Sequence, residues 1–192
     1  MFARTERLLL RPGWREDALQ LAHLLADGTV ARNVSRMPFP YGEADALDFI
    51  GQEHDPLLPR LLAFSRTNGT PRLVGGCGLH RNEDGDVELG YWIGQPYWGL
   101  GFATEAARAV LCMARACGHS VIRAGHFVDN PASGRVLRKL GFRPTGEFTR
   151  RHSLARGEEV LCAEFENRGE AGMRCNDDPA DEVYGDARVV AA

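Results

Sequence analysis

The sequence predicts an α/β chain of the α+β kind, built on a mixed, mainly antiparallel sheet with flanking helices. Three features of the 192 residues point to it. Residues 87–105 read as a strand entering a glycine-rich turn and then a helix. A second strand at Val121 follows that helix, so strand, helix and strand run in sequence, which implies two parallel neighbours joined by a right-handed crossover. Strand-like runs on either side of this unit are joined by short turns, the signature of antiparallel pairing.

Taken in order, Thr5 to Arg11 reads as a first strand. Glu16 to Ala26 reads as a helix with Ala18, Leu21, Ala22 and Leu25 on one face, stopped by Gly28. Asn33 to Gly42 holds two prolines and three large apolar side chains, so it predicts an irregular loop lying on other structure. Ala44 to Glu53 is a second helix with Ala46, Phe49 and Ile50 inward. Leu61 to Thr67 and Leu73 to Leu79 are strands separated by Asn68-Gly69-Thr70-Pro71, and Gly75, Gly76 and Gly78 suggest a bulge or a close approach of another element.

From Val87 to Ile93 the strand places Val87, Leu89, Tyr91 and Ile93 on one face and Glu88, Gly90 and Trp92 on the other. Pro96 ends the ladder. Gly99 and Gly101 bare the backbone just ahead of a helix whose apolar residues Ala106, Ala107, Val110, Leu111 and Ala114 recur at helical spacing. A helix N-terminus offers unpaired N–H groups and partial positive charge, so this turn suits a phosphate. A Walker loop would need Gly-Lys-Ser/Thr, whereas Phe102 and Ala103 follow Gly101. A dinucleotide fingerprint would need a third Gly or Ala where Thr104 or Glu105 stands.

After the strand Val121 to Asp129, Asn130 suits an N-cap, Pro131 the first helical position and Gly141 the residue past the last turn. Phe142 to Arg150 and Glu159 to Glu166 form a closing antiparallel pair turned at Ala155-Arg156-Gly157. Beyond Asn167 large apolar residues become scarce, which marks residues 168–192 as a polar tail after one domain over residues 1–167.

The 44% hydrophobic content supports one substantial core, and the formal charge of -3 argues against nucleic acid or an anionic membrane as partner. The longest apolar run near the N-terminus is Leu8 to Leu10, so a cytoplasmic location is expected. Five cysteines without Cys-x-x-Cys spacing are expected to be structural thiols, with no metal site.

The run Trp98-Gly99-Leu100-Gly101-Phe102-Ala103-Thr104-Glu105, with Asn130-Pro131-Ala132-Ser133 and Lys139-Leu140-Gly141-Phe142 downstream, resembles the GNAT acetyltransferases. The similarity runs from about Thr5 to Phe165 and is to the branch that contains the ribosomal-protein N-terminal acetyltransferases, where an aromatic before the first glycine is usual. It implies the GNAT acyl-CoA N-acyltransferase fold with splayed central parallel strands, and acetyl transfer from acetyl-CoA to a primary amine in a ternary complex. It further implies that amides from Gly99 through Thr104 hold the pyrophosphate. By the same resemblance, the backbone of Trp92, Ile93 and Gly94 lines the pantetheine arm, Asn130 bonds that arm, and Ser133 stands near the sulfur as proton donor. The loop between the first two helices would wall the acceptor cleft.

Amine acetylation requires a base for the ammonium and an acid for the thiolate. Glu88 is the candidate base, although a carboxylate in that alternation either pairs with a basic neighbour or points into a cleft. His126, His80 and Glu158 are rivals, and water is another. Arg135, Arg138 and Lys139 could contact CoA phosphates, or simply form a solvated helix face. An α-amine of pKa near ~8 costs about 1.4 kcal/mol to deprotonate at neutral pH and a lysine roughly 4 to 5, so a single carboxylate favours an α-amine or another amine of low pKa. The acceptor stays open between a protein N-terminus and a small-molecule amine, and the assembly between monomer and homodimer. The competing readings are a CoA-binding regulatory module without chemistry and a module that binds ATP or NAD.

Overall fold

The computed structural model describes residues 1–53, 55–67 and 69–169, and the backbone of 188–190. Its strands are β1 Phe2–Arg4, β2 Leu8–Arg11, β3 Arg60–Ser65, β4 Arg72–Arg81, β5 Val87–Ile93, β6 Val121–Phe127, β7 Arg143–Ser153, β8 Glu158–Arg168 and β9 Arg188–Val190. The helices are α1 Ala18–Leu25, α2 Glu43–Gly51, α3 Phe102–Ala116 and α4 Pro131–Lys139. One sheet runs in the order β7-β8-β6-β5-β4-β3-β2-β1-β9. Every neighbouring pair is antiparallel except β5 and β6, which are parallel as the crossover implies.

Period-two alternation sorts the strand residues between two helical layers. Leu61 and Ala63 of β3 pack with α3 and α4, in a core that includes Val110, Met113 and Leu137. Leu62 and Phe64 face the opposite way, onto Leu21 and Leu25 of α1 and Ala46 of α2. Strand β5 divides likewise, Leu89 and Ile93 joining the first layer and Trp92 the second. Close approach accounts for the strand glycines of β4: a Cβ on Gly76 would sit 2.7 Å from the indole Nε1 of Trp92.

The first strand differs from expectation. Residues 5–11 do not form one strand; the chain turns between β1 and β2, which pair as a hairpin in the register Ala3↔Leu10 and Arg4↔Leu9. The cause is a distant carboxylate, since Thr5 Oγ1 and the backbone N–H of Arg7 both donate to Glu105 Oε1 of α3, at 2.5 and 2.9 Å. Strand β8 runs to Arg168, one residue beyond the expected domain boundary. Arg188–Val190 pairs with β1, and residues 170–187 and 191–192 of the expected tail, like Asn68 of the expected turn, lie outside the described residues. Cys77, Cys117 and Cys162 carry free thiols, whereas Cys112, against expectation, is disulfide-bonded. No helix among the described residues is long and apolar enough to cross a membrane.

Candidate active site

The parallel strands β5 and β6 share a single register pair, Glu88↔Arg123. Past that point β6 stays paired only with β8, and the two strands part. Tyr91 spans the opening: its hydroxyl donates to the Ser133 carbonyl at 3.0 Å and lies 2.7 Å from Ser133 Oγ. With the tyrosine proton directed at the carbonyl, Ser133 Oγ–H donates to the tyrosine oxygen. Burial, opposed by the bond to Ser133, raises the Tyr91 pKa and keeps the phenol protonated. Asn130 caps α4, its Oδ1 accepting from the Ser133 N–H at 3.3 Å, so the residue expected to bond the cofactor arm already spends that oxygen on the helix.

At the far end of β5 the Gly94 N–H donates to the Val74 carbonyl at 2.9 Å. Half-exposed Trp98 folds back so that its indole N–H donates to the Ile93 carbonyl at 2.6 Å. Both groups expected along a pantetheine arm are therefore engaged within the chain. Gly99 and Gly101 take φ of +78° and +82°, the left-handed region that side chains avoid, and α3 starts immediately after Gly101. Among the described residues, the six amides from Gly99 through Thr104 have no acceptor. They form an unsatisfied row at a helix N-terminus, which is the donor set a pyrophosphate requires. Arg7 braces the row from beneath: its Nη1 donates to the Leu100 carbonyl at 2.9 Å, its Nη2 lies 2.6 Å from Glu105 Oε2, and its guanidinium lies 4.8 Å from the Phe102 ring centre.

Between the α1–α2 layer and the strand opening lies a cavity of about 550 Å³. Leu21, Leu25, Met37, Phe49 and Trp92 line its apolar part, and Glu88, His80, His126, Tyr91 and Ser133 lie where the strands part. Trp92 thus presents its side chain to this cavity, while Ile93 is buried against α3. Phe102 is buried, and Leu100 is half exposed on the loop. The loop from Trp98 to Thr104 is not part of the cavity wall.

Glu88 is only 5% exposed, and both its oxygens accept from Arg151, at 2.5 and 3.1 Å. Arg151 also donates to Glu164 at 2.8 and 2.9 Å. Two carboxylates therefore share one guanidinium. Burial disfavours the charge on Arg151, but the bonds to Glu88 and the nearby carboxylates outweigh it and raise its pKa. Next to it, burial pushes the Cys162 thiol up to about 12, which makes it inert. His126 Nδ1 lies 2.8 Å from the Phe127 carbonyl, an acceptor only, so Nδ1 carries a proton directed at it.

His80 pairs with Glu88 across β4 and β5, its Nε2 3.8 Å from Glu88 Oε1. Burial lowers its pKa, assisted by Arg36 and Arg151 and opposed by Glu88. The sign of the linkage follows. Above the unfolded value of 6.5 the imidazole is neutral in both states; as pH falls below it, the unfolded chain takes up the proton first and stability drops. His80→Gln should therefore flatten the loss of Tm between about pH 7 and 5, read by thermal unfolding across that range. An unchanged slope would remove His80 from the acid limb.

Three elements of this arrangement escape a reading of the sequence. Tyr91 sits in an apolar alternation and looks like core. Arg151 lies in the run Arg150-Arg151-His152, where alternation alone could have marked it as inward. Arg36, in the irregular loop before α2, gives no signal beyond being a charge in an apolar stretch.

Comparison with known proteins agrees with this geometry. Residues 7–143 match the acetyltransferase (GNAT) domain family. The chain is 31% identical over 161 residues to the uncharacterised N-acetyltransferase p20 of Bacillus licheniformis, covering 81% of this chain and 89% of the relative. Among solved structures, a GNAT-family acetyltransferase from Bacillus anthracis superposes with a TM-score of 0.73 at 23% identity, covering 88% of this chain and 98% of the other. RimL, the ribosomal L7/L12 α-N-protein acetyltransferase in complex with coenzyme A, superposes with a TM-score of 0.73 at 15% identity over 89% and 99% of the two chains. The unsatisfied amide row, the parted strands and these matches have one explanation: the chain belongs to the GNAT acetyltransferases and is an acetyl-CoA-dependent N-acetyltransferase.

Proposed function

We propose that the enzyme acetylates a primary amine, a protein N-terminal α-amine or a small-molecule amine, by direct attack in a ternary complex. The observation that carries this reading is the convergence of Glu88 and Ser133 on one cavity at the point where β5 and β6 part. Acetyl-CoA supplies the acetyl thioester. Its pyrophosphate is held by the amides of Gly99 through Thr104, and its arm follows the strand opening past Trp92, Ile93, Gly94 and Asn130.

Glu88 acts as base. Arg151 holds its two oxygens in place, and each retains a lone pair for a water that relays the proton from the ammonium. The Ser133 hydroxyl, whose proton rests on the Tyr91 oxygen, turns to return it to the departing sulfur. No side chain is acylated in this scheme, so both substrates must be present together. Initial rates measured against both should give intersecting double-reciprocal lines. Parallel lines would indicate a ping-pong reaction with an acyl-enzyme and overturn the ternary complex.

A further inference from the structure

The charges around the cavity are unevenly committed. Arg151 is bound to Glu88 and Glu164. Arg60 donates to the Gln52 carbonyl and side chain and lies 4.8 Å from the centre of the Phe49 ring. Asp45 accepts the Gly42 N–H at the start of α2. Arg36 and Asp48 are different: both line the cavity, both are exposed, and neither side chain has an ion-pair or hydrogen-bond partner among the described residues, so Arg36 is the cavity's uncommitted guanidinium. It lines the same cavity as Glu88 and His80, and its positive charge helps to lower the pKa of His80, whose ring stands 3.8 Å from Glu88.

Arg151 is already shared by Glu88 and Glu164, which leaves Arg36 as the guanidinium on this cavity with no hydrogen-bond partner among the described residues. A zwitterion fits. Its carboxylate meets a free guanidinium, the side chain best shaped for a carboxylate, while its nitrogen meets Glu88. The remaining wall, formed by Leu21, Leu25, Met37, Phe49 and Trp92, suits an apolar substituent. The volume of about 550 Å³ also includes the strand opening, so the space left for an acceptor is that of a small molecule.

We propose that the acceptor is a free α-amino acid with an apolar side chain, its carboxylate held by Arg36 and its amine directed at Glu88. This rests on the reading that Glu88 marks the reacting nitrogen. In the reaction the ammonium loses one proton toward Glu88, the nitrogen forms a bond to the thioester carbon, and the carbon–sulfur bond breaks. The nitrogen gives up a second proton, the sulfur leaves as CoA thiol with one proton, and the products are the N-acetylamino acid, CoA and one released proton.

The test uses the full chain and measures release of CoA thiol with leucine and methionine, their carboxamides, and a tripeptide beginning with leucine. Leucine should exceed leucinamide in kcat/KM by at least about tenfold, since a site built around a charged group rejects an analogue lacking it. Arg36→Gln should remove that preference by lowering kcat/KM for leucine at least about tenfold, while leaving the KM for acetyl-CoA and the Tm unchanged. Equal or better turnover of leucinamide or the tripeptide would overturn the inference, as would a preference that survives Arg36→Gln. Turnover of amides or peptides without amino acids would sink only this inference. If no amine is turned over and acetyl-CoA does not raise the Tm, the proposed function falls with it.

Discussion

Glu88→Gln should lower kcat by about 10²- to 10⁴-fold, the range for loss of a general base, while leaving acetyl-CoA binding intact. The substitution is close to isosteric, keeps an oxygen to accept from Arg151, and leaves Arg151 its second carboxylate, Glu164. The fold therefore keeps the Arg151–Glu164 ion pair and loses only the proposed proton acceptor. Ser133→Ala should cost less, about tenfold and below the range typical of a lost acid. Its neighbour Tyr91 reaches the same place with a hydroxyl of its own, 2.7 Å away. The measurement is kcat at saturating acetyl-CoA beside a calorimetric Kd for the cofactor. A Glu88→Gln enzyme within twofold of wild type would leave water or His126 as the acceptor.

Arg151→Met should be the most destabilising single change near the site. It leaves Glu88 and Glu164, which are 5% and 7% exposed, as two buried carboxylates without their shared cation. Breaking a buried pair from one side costs about 3–5 kcal/mol. At about 2–4 °C per kcal/mol for a chain of this length, Tm should fall by at least about 6 °C. Adding Glu88→Gln and Glu164→Gln should recover much of the loss, because the orphaned charges, rather than a missing contact, are its cause. Denaturant unfolding of the single and triple variants checks both statements. A single variant within about 1 kcal/mol of wild type would show that water reaches the carboxylates and replaces the guanidinium.

The reach of sequence reasoning here follows the range of the interactions involved. Strand β5 begins and ends where alternation places it, and the helix after Gly101 and the Asn130-Pro131 cap are likewise legible, because propensity and capping act within a few residues. The hairpin of β1 and β2 was not, because the carboxylate that captures Thr5 is 100 residues away. Glu88 could be singled out as an inward carboxylate, but its partner lies 63 residues downstream and the alternation could not name it. Tyr91 and Ser133 are 42 residues apart and meet only because α4 is laid over the strand opening. Spacing identified the loop glycines and the capping asparagine; the fold alone shows that the Gly94 amide and the Trp98 indole are already engaged within the chain.

The most direct test of the site is thermal unfolding of the wild-type chain and Gly101→Val, each with and without acetyl-CoA. Acetyl-CoA at about 100 times its Kd adds roughly 2.7 kcal/mol, a rise of about 5–10 °C for the wild type. Valine at a φ of +82° forces the loop out of the conformation that aligns its amides, so the variant should fold and show no rise. An equal rise in both proteins would contradict the placement of the cofactor on this backbone.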